Sequence, residues 1–122
     1  MRGNYNVTHE DRRRFFQALL GLMRKPEDRW YDLISTDLCL SNCDDLLEEL
    51  GYERDTCETN GWEGELWWTF CHPKAPSITF LASGYLGELS MCFSDYDDGE
   101  EPDVEALREV IKEHWGKYFE VV

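Results

Sequence analysis

The sequence lacks any apolar run long enough to cross a bilayer, which takes about 20 consecutive apolar residues. The segment from Met1 to His9 is polar and has no apolar core of the kind that a secretory signal needs. The five cysteines are an odd number, which favours reduced thiols over a disulfide framework. We therefore expect a cytoplasmic protein without membrane contact.

Basic side chains are scarce after residue 30. The first 30 residues hold seven basic and four acidic side chains, a charge of +3, whereas the remainder holds five basic and 22 acidic ones, a charge of −17. The net charge is −14 over 122 residues. A field of this sign repels phosphate backbones and attracts basic surfaces. We therefore expect the protein to bind a basic protein partner and not to bind nucleic acid directly.

Catalytic signatures are also missing. The sequence has no G-x-S-x-G nucleophile motif, no P-loop and no dinucleotide fingerprint, and its histidines, His9, His72 and His114, mark no nucleophile-base pair. Carboxylates are abundant, but abundance does not single out a general acid and base. We expect neither an enzyme nor a cofactor.

The sequence contains candidate ligands for two kinds of metal site. An EF-hand loop beginning at Asp95 would need glycine at its sixth and glutamate at its twelfth position, but Gly99 is the fifth residue and Ala106 the twelfth. Zinc could draw on four soft side chains: Cys39, Cys43, Cys71 and His72. Adjacent strand residues point to opposite faces, so Cys71 and His72 could hardly bind one ion. No metal is expected, although a small metal-binding domain stays as an alternative.

The first half of the chain shows helical patterning. Thr8 and Asp11 form a capping pair ahead of a helix over residues 9 to 24. Pro26 predicts a short second helix that ends between residues 35 and 37, and Ser41 or Asn42 would cap a third that stops at Gly51 with a Schellman turn. Residues 53 to 61 have no periodicity and predict a loop.

The second half changes to a period of two. Alternating apolar residues predict three strands around Leu66 to Phe70, Ile78 to Phe80 and Leu89 to Phe93, joined by short linkers. Pro102 then opens a last helix with an apolar stripe from Val104 to Tyr118. The fold class is α+β: one domain over residues 1 to 122, with a three-stranded antiparallel β-meander packed against helices in the order α-α-α-β-β-β-α.

Two acidic segments are the candidate partner-binding surface. Eight carboxylates against one base lie between Asp95 and Glu109, more than the helix dipole requires, and a second group lies on the third helix. An ordinary solvated acidic face is the other interpretation. The candidate acids are Asp44, Asp45, Glu48, Glu49, Asp95, Asp97, Asp98, Glu100, Glu101, Asp103 and Glu105.

Trp67 is a separate candidate. Leu66, Trp68 and Phe70 form the more apolar set of their strand, so Trp67 is expected on the opposite face beside Glu65. Tryptophan is enriched among residues that dominate interfaces. The alternative is that a helix or loop of the chain covers that face.

Arg12, Arg13 and Arg14 span much of one helix surface. Pairing with acids of the same chain is their expected role, and a homodimer contact is the second choice.

In composition alone, the chain resembles small acidic inhibitors of phages and mobile elements, such as anti-CRISPR and anti-restriction proteins. It is also similar to bacterial toxin-immunity proteins. The first resemblance implies a nucleic-acid mimic that inhibits a basic, nucleic-acid-binding protein. The second implies an immunity or adaptor protein, and for that hypothesis the strand pattern offers the sheet face around Trp67 as the docking surface. Neither resemblance assigns a residue.

Overall fold

The computed structural model describes residues 7–26, 30–33, 38, 40–60, 64–83, 88–94 and 101–121, with backbone only at 40–41 and 56–60. Within these ranges the chain forms three helices and a five-stranded antiparallel sheet. The elements in chain order are α1 (His9–Arg24), β1 (Tyr31–Asp32), α2 (Leu40–Glu49), β2 (Glu53–Asn60), β3 (Glu65–Cys71), β4 (Ile78–Ser83), β5 (Glu88–Phe93) and α3 (Val104–Trp115).

The predicted capping box begins α1. The Thr8 hydroxyl accepts a hydrogen bond from the Asp11 backbone N–H at 3.1 Å, and the Asp11 carboxylate accepts one from the Thr8 N–H at 3.0 Å. Two of the backbone donors that a helix start leaves unpaired are thereby satisfied. The predicted bounds of this helix, residues 9 to 24, are confirmed.

The predicted Schellman turn ends α2. The Tyr52 N–H donates to the Leu47 carbonyl at 3.0 Å, and the Gly51 N–H donates to the Glu48 carbonyl at 3.0 Å. Gly51 has a φ of 95°, a conformation that glycine adopts without the Cβ penalty of other residues. The turn reverses the chain directly into β2, which places the end of α2 beside the sheet.

The strands lie in the order β1-β5-β4-β3-β2, so β2 to β5 form a meander and β1 adds to its far edge. Trp68 lies opposite Phe80, and Phe80 lies opposite Met91, so these three side chains share one face. The core lies between that face and the helices. It contains Phe15 and Leu19 of α1, and it continues through the buried side chains of α2 and α3, among them Leu46, Leu47, Leu107, Ile111 and Trp115.

The two ends of the described chain meet at one side of this core. The ring of His9 lies 5.5 Å from that of Tyr118, and Phe16 stacks on Phe119 with 4.9 Å between ring centroids. These contacts fix α1 against the segment that follows α3.

The predicted three-stranded meander in the order α-α-α-β-β-β-α is wrong, because the sheet has five strands. The helix expected after Pro26 is contradicted at Tyr31–Asp32, which pair with β5; the Leu33 N–H also donates to the Leu89 carbonyl at 2.7 Å. This strand has its hydrogen-bond partner some 60 residues away, so local spacing could not reveal it. In addition, α2 starts at Leu40, before either predicted cap.

The loop expected over residues 53 to 61 is also wrong, because Glu53–Asn60 form β2. The position opposite Phe70, where a strand pattern would show an apolar residue, is taken by Arg54. Its guanidinium lies 5.9 Å from the centroid of the Phe70 ring. The Arg54 cation covers the aromatic face in place of an apolar side chain, so the sequence of β2 lacks the apolar alternation that would identify a strand.

Across the described part of the chain, no helix combines the length and the apolar character that crossing a membrane requires.

Candidate functional site

Glu49, one of the predicted partner-binding acids, joins the three helices. Its carboxylate accepts hydrogen bonds from Nε and Nη2 of Arg12, both at 2.8 Å, and from the Trp115 indole Nε1–H at 3.0 Å. Only 14% of the Glu49 side chain and 16% of the Arg12 side chain are exposed. The hydrogen bond to Glu49 raises the pKa of Arg12, which stays a cation. The intramolecular pairing expected for the arginine triplet is confirmed at Arg12.

Asp44 is likewise engaged within the chain. One of its carboxylate oxygens accepts a short hydrogen bond from Arg54 of β2, and the other accepts from the indole Nε1–H of Trp68 at 3.2 Å. The Asp44 side chain therefore ties α2 to two strands of the sheet. The remaining α2 candidates, Asp45 and Glu48, are half-buried.

The carboxylates of α3 have a different environment. Glu105, Glu109 and Glu113 are all exposed and follow one another at intervals of four residues, so they lie along one side of the helix, opposite the buried Leu107 and Ile111. Glu105 has an exposed ion pair with Arg108 at 3.6 Å. Among the residues that the structure describes, Glu109 and Glu113 have no ion-pair or hydrogen-bond partner. We call these three side chains the α3 glutamate row.

The acidic run before α3 is described only at its end. Glu101 is exposed, and the carboxylate of Asp103 caps the helix by accepting a hydrogen bond from the Ala106 N–H at 3.1 Å. Asp95, Asp97, Asp98 and Glu100 lie outside the described residues. Glu109 and Glu113, which were not among the predicted site residues, extend the acidic surface along the helix; their spacing of four residues was the sequence signal.

Trp67 lies on the face of the sheet opposite the helices, as its strand pattern predicts. The ring of Trp30, the residue before β1, packs edge-on against it with 5.4 Å between centroids, and both side chains are half-buried. Leu81, which lies opposite Trp67, and Cys92 are 8% and 5% exposed and are not members of the helix-facing core cluster. Residues of the chain itself thus cover part of this face.

An open cleft of about 520 Å³ lies where β2 and β3 meet the end of α2. His72 lines it with both ring nitrogens in use: Nδ1 accepts a hydrogen bond from the Lys74 backbone N–H at 2.9 Å, and Nε2 lies 3.0 Å from the Leu50 carbonyl oxygen. Both contacts are satisfied when Nε2 carries the proton. The other lining residues are Gly51, Glu53, Arg54, Asp55, Cys71 and Pro73.

The soft side chains considered for zinc are spread over the fold. Cys43 is buried in the core, and Cys71 is a half-exposed thiol that accepts a hydrogen bond from the Ser77 hydroxyl at 3.6 Å. Cys39 lies outside the described residues. Across the described ranges, no three side chains of His, Cys, Asp or Glu are grouped so as to hold a metal ion.

Comparison of the chain with protein-family models, with curated proteins and with solved structures gives no match in any of the three.

Proposed function

We propose that this protein is a non-enzymatic inhibitor that binds a basic, nucleic-acid-binding protein through an acidic surface centred on α3. The observation that carries the proposal is the α3 glutamate row, Glu105, Glu109 and Glu113, which is exposed and directed to one side. Carboxylates needed only for folding have partners in this structure, as Asp44 and Glu49 do. In the row, the pair of Glu105 with Arg108 is exposed, and Glu109 and Glu113 have no partner among the described residues. The row is therefore available to a partner, and electrostatic complementarity supplies both steering and specificity.

The charge spacing sets how far the row can imitate a nucleic acid. Four helical residues rise roughly 6 Å, whereas one strand of DNA carries a charge about every 3.4 Å along the axis. The row alone therefore has about half the linear charge density of one strand. The acids from Asp95 to Glu101, which precede α3 directly in the sequence, supply the additional charge in this proposal.

The proposed setting is the cytoplasm. Cys43, Cys71 and Cys92 are thiols rather than disulfides, which is the state that a reducing compartment maintains. The alternative docking surface around Trp67 stays a prediction, with Trp67→Ala as its test.

The proposal is tested by a pull-down from source-cell lysate with quantitative mass spectrometry. The bait is either the wild type or a variant with Glu105→Gln, Glu109→Gln and Glu113→Gln. A matched control carries Glu10→Gln, Glu88→Gln and Glu120→Gln, three exposed glutamates elsewhere, so its net charge changes equally. We expect a basic protein that the α3 variant loses at least tenfold and the control retains.

With the captured protein purified, two measurements complete the test. Its association rate with the wild type should fall about tenfold or more when NaCl is raised from about 50 to 500 mM, because steering is screened. The wild type should displace nucleic acid from it at a one-to-one ratio. Equal losses for the α3 variant and the control, or an unchanged rate in high salt, would contradict the proposal.

A further inference from the structure

The outer edge of β2 is a hydrogen-bonding surface with which no strand of the described chain pairs. This eight-residue strand pairs with β3 on one side, and it lies at the end of the sheet order. No described residue pairs with its other side. The opposite edge of the sheet is β1, with only two residues. A long strand at an edge presents a row of backbone N–H and C=O groups that can pair with a further strand.

The local structure also limits which strand can be added. The register of β2 shifts between Arg54 and Thr56, so the strand is bulged near its start and regular from 56 to 60. Five regular residues extend over roughly 17 Å, enough for a short ladder. The bulge stands beside the cleft that His72 and Pro73 line, which leaves space for a side chain of an added strand.

The charge of the edge indicates the occupant. The strand has three acids and one base in its sequence, and that base, Arg54, is engaged by Asp44. Glu53 and Asp55 are exposed and have no partner among the described residues. Protective edges typically carry lysine or proline, and this strand has neither. A second copy of the chain would bring like charges together, whereas lysine or arginine side chains would complement them.

We propose that β2 binds an extended, basic segment of the partner protein as a sixth strand of the sheet. Backbone hydrogen bonds to 56–60 supply the pairing, and Glu53 and Asp55 receive the basic side chains. The inference rests on the proposed function, because it takes the partner to be basic. It adds a second contact surface whose recognition depends on the backbone as well as on charge.

The test uses the full chain and a synthetic eight-residue peptide with lysine at every second position and threonine or valine between. A control peptide of the same sequence has all its backbone amides N-methylated, which keeps its charge and blocks pairing at both edges of the peptide. We expect the unmodified peptide to bind at least tenfold more tightly. It should also slow hydrogen exchange at backbone amides within 56–60. Equal binding of the two peptides would overturn the proposal.

Proline variants locate the edge. Successive N–H groups of a strand point to opposite sides, so of Cys57→Pro and Glu58→Pro one removes a bond to β3 and the other removes an outward donor. We expect one variant to lose stability and the other to keep the wild-type unfolding midpoint while losing peptide binding tenfold. If the stable variant binds the peptide normally, or if the unmodified peptide promotes dimers through β2, the proposal is wrong.

The glutamine variant of the α3 row separates this inference from the proposed function. It should bind the peptide within about twofold of the wild type, since α3 is not part of the β2 edge. If the α3 variant retains the captured basic protein, the proposed function fails whatever the peptides show. If the α3 variant loses the captured protein but the two peptides bind equally, the proposed function stands and the sixth strand does not.

Discussion

Arg12 and Glu49 form a bidentate ion pair, with Nε and Nη2 of the guanidinium each 2.8 Å from a carboxylate oxygen. The pair connects the mildly basic first quarter of the chain to its acidic body, and its geometry is the planar fork that arginine matches best to carboxylates. Glu49, which the sequence predicts to bind a partner, therefore stabilises the packing of the helices instead.

Glu49→Ala should lower the free energy of unfolding by about 2–4 kcal/mol, because it leaves the half-buried Arg12 cation and the Trp115 N–H without their acceptor. Urea denaturation at neutral pH measures the loss. Glu113→Ala, an exposed site, is the control and should change stability by less than about 0.5 kcal/mol. A loss below about 1 kcal/mol for Glu49→Ala would show that the ion pair adds little.

Gly21→Ala should destabilise the protein although alanine is the better helix former by about 1 kcal/mol. A Cβ at Gly21 would lie 2.6 Å from Cε2 and the hydroxyl of Tyr31, so α1 and β1 must separate or the ring must move. We expect a net loss of about 1 kcal/mol by thermal denaturation. Adding Tyr31→Val should restore stability; if the double variant is no better than Gly21→Ala alone, the close contact is not the cause.

Gly51→Ala should cost more than Gly64→Ala. Both glycines have positive φ, 95° and 66°, so each replacement costs about 1–2 kcal/mol in backbone strain. At Gly51 the added Cβ would also lie 2.9 Å from Nε2 of His72, which contacts the Leu50 carbonyl. Thermal denaturation should show an additional loss of about 1 kcal/mol. The imidazole NMR signals of His72 should shift in Gly51→Ala only; equal losses with unchanged signals would exclude the His72 contact.

Trp30→Ala should expose Cys92. The pairing of Tyr31 with Met91 places Trp30 next to Cys92 in the register of β1 and β5. We expect native-state thiol labelling of Cys92, followed by peptide mass spectrometry, to accelerate at least tenfold. Cys43, fully buried in the helix-facing core, reports global unfolding. If Cys43 accelerates by the same factor, Trp30 supports overall stability rather than covering this face.

The sequence was informative where local chemistry decides the structure. The capping pair of Thr8 and Asp11, the Schellman glycine at position 51 and the alternation around Trp68 each predicted an element that the structure contains. These signals need no knowledge of the rest of the chain, because each depends on neighbours within a few residues.

The missed elements depend on distant residues. The strand β1 forms because it pairs with β5. In β2, Arg54 occupies a position where a strand pattern would show an apolar residue, and its side chain contacts Asp44 and Phe70. The candidate acids divide for the same reason. Nothing in the local sequence separates Glu49, which accepts bonds from two other helices, from Glu109, which accepts none from the residues that the structure describes.

The three-helix contact at Glu49 also has a consequence for synthesis on the ribosome. Its bond to Arg12 spans 37 residues and its bond to Trp115 spans 66, so during translation the first can form before α3 has been synthesised and the second only afterwards. The strand β1 likewise waits for β5 to emerge. Contacts of such long sequence separation slow folding. Until α3 has been synthesised, nascent chains would thus hold α1 and α2 with an uncovered apolar side to which a chaperone can bind.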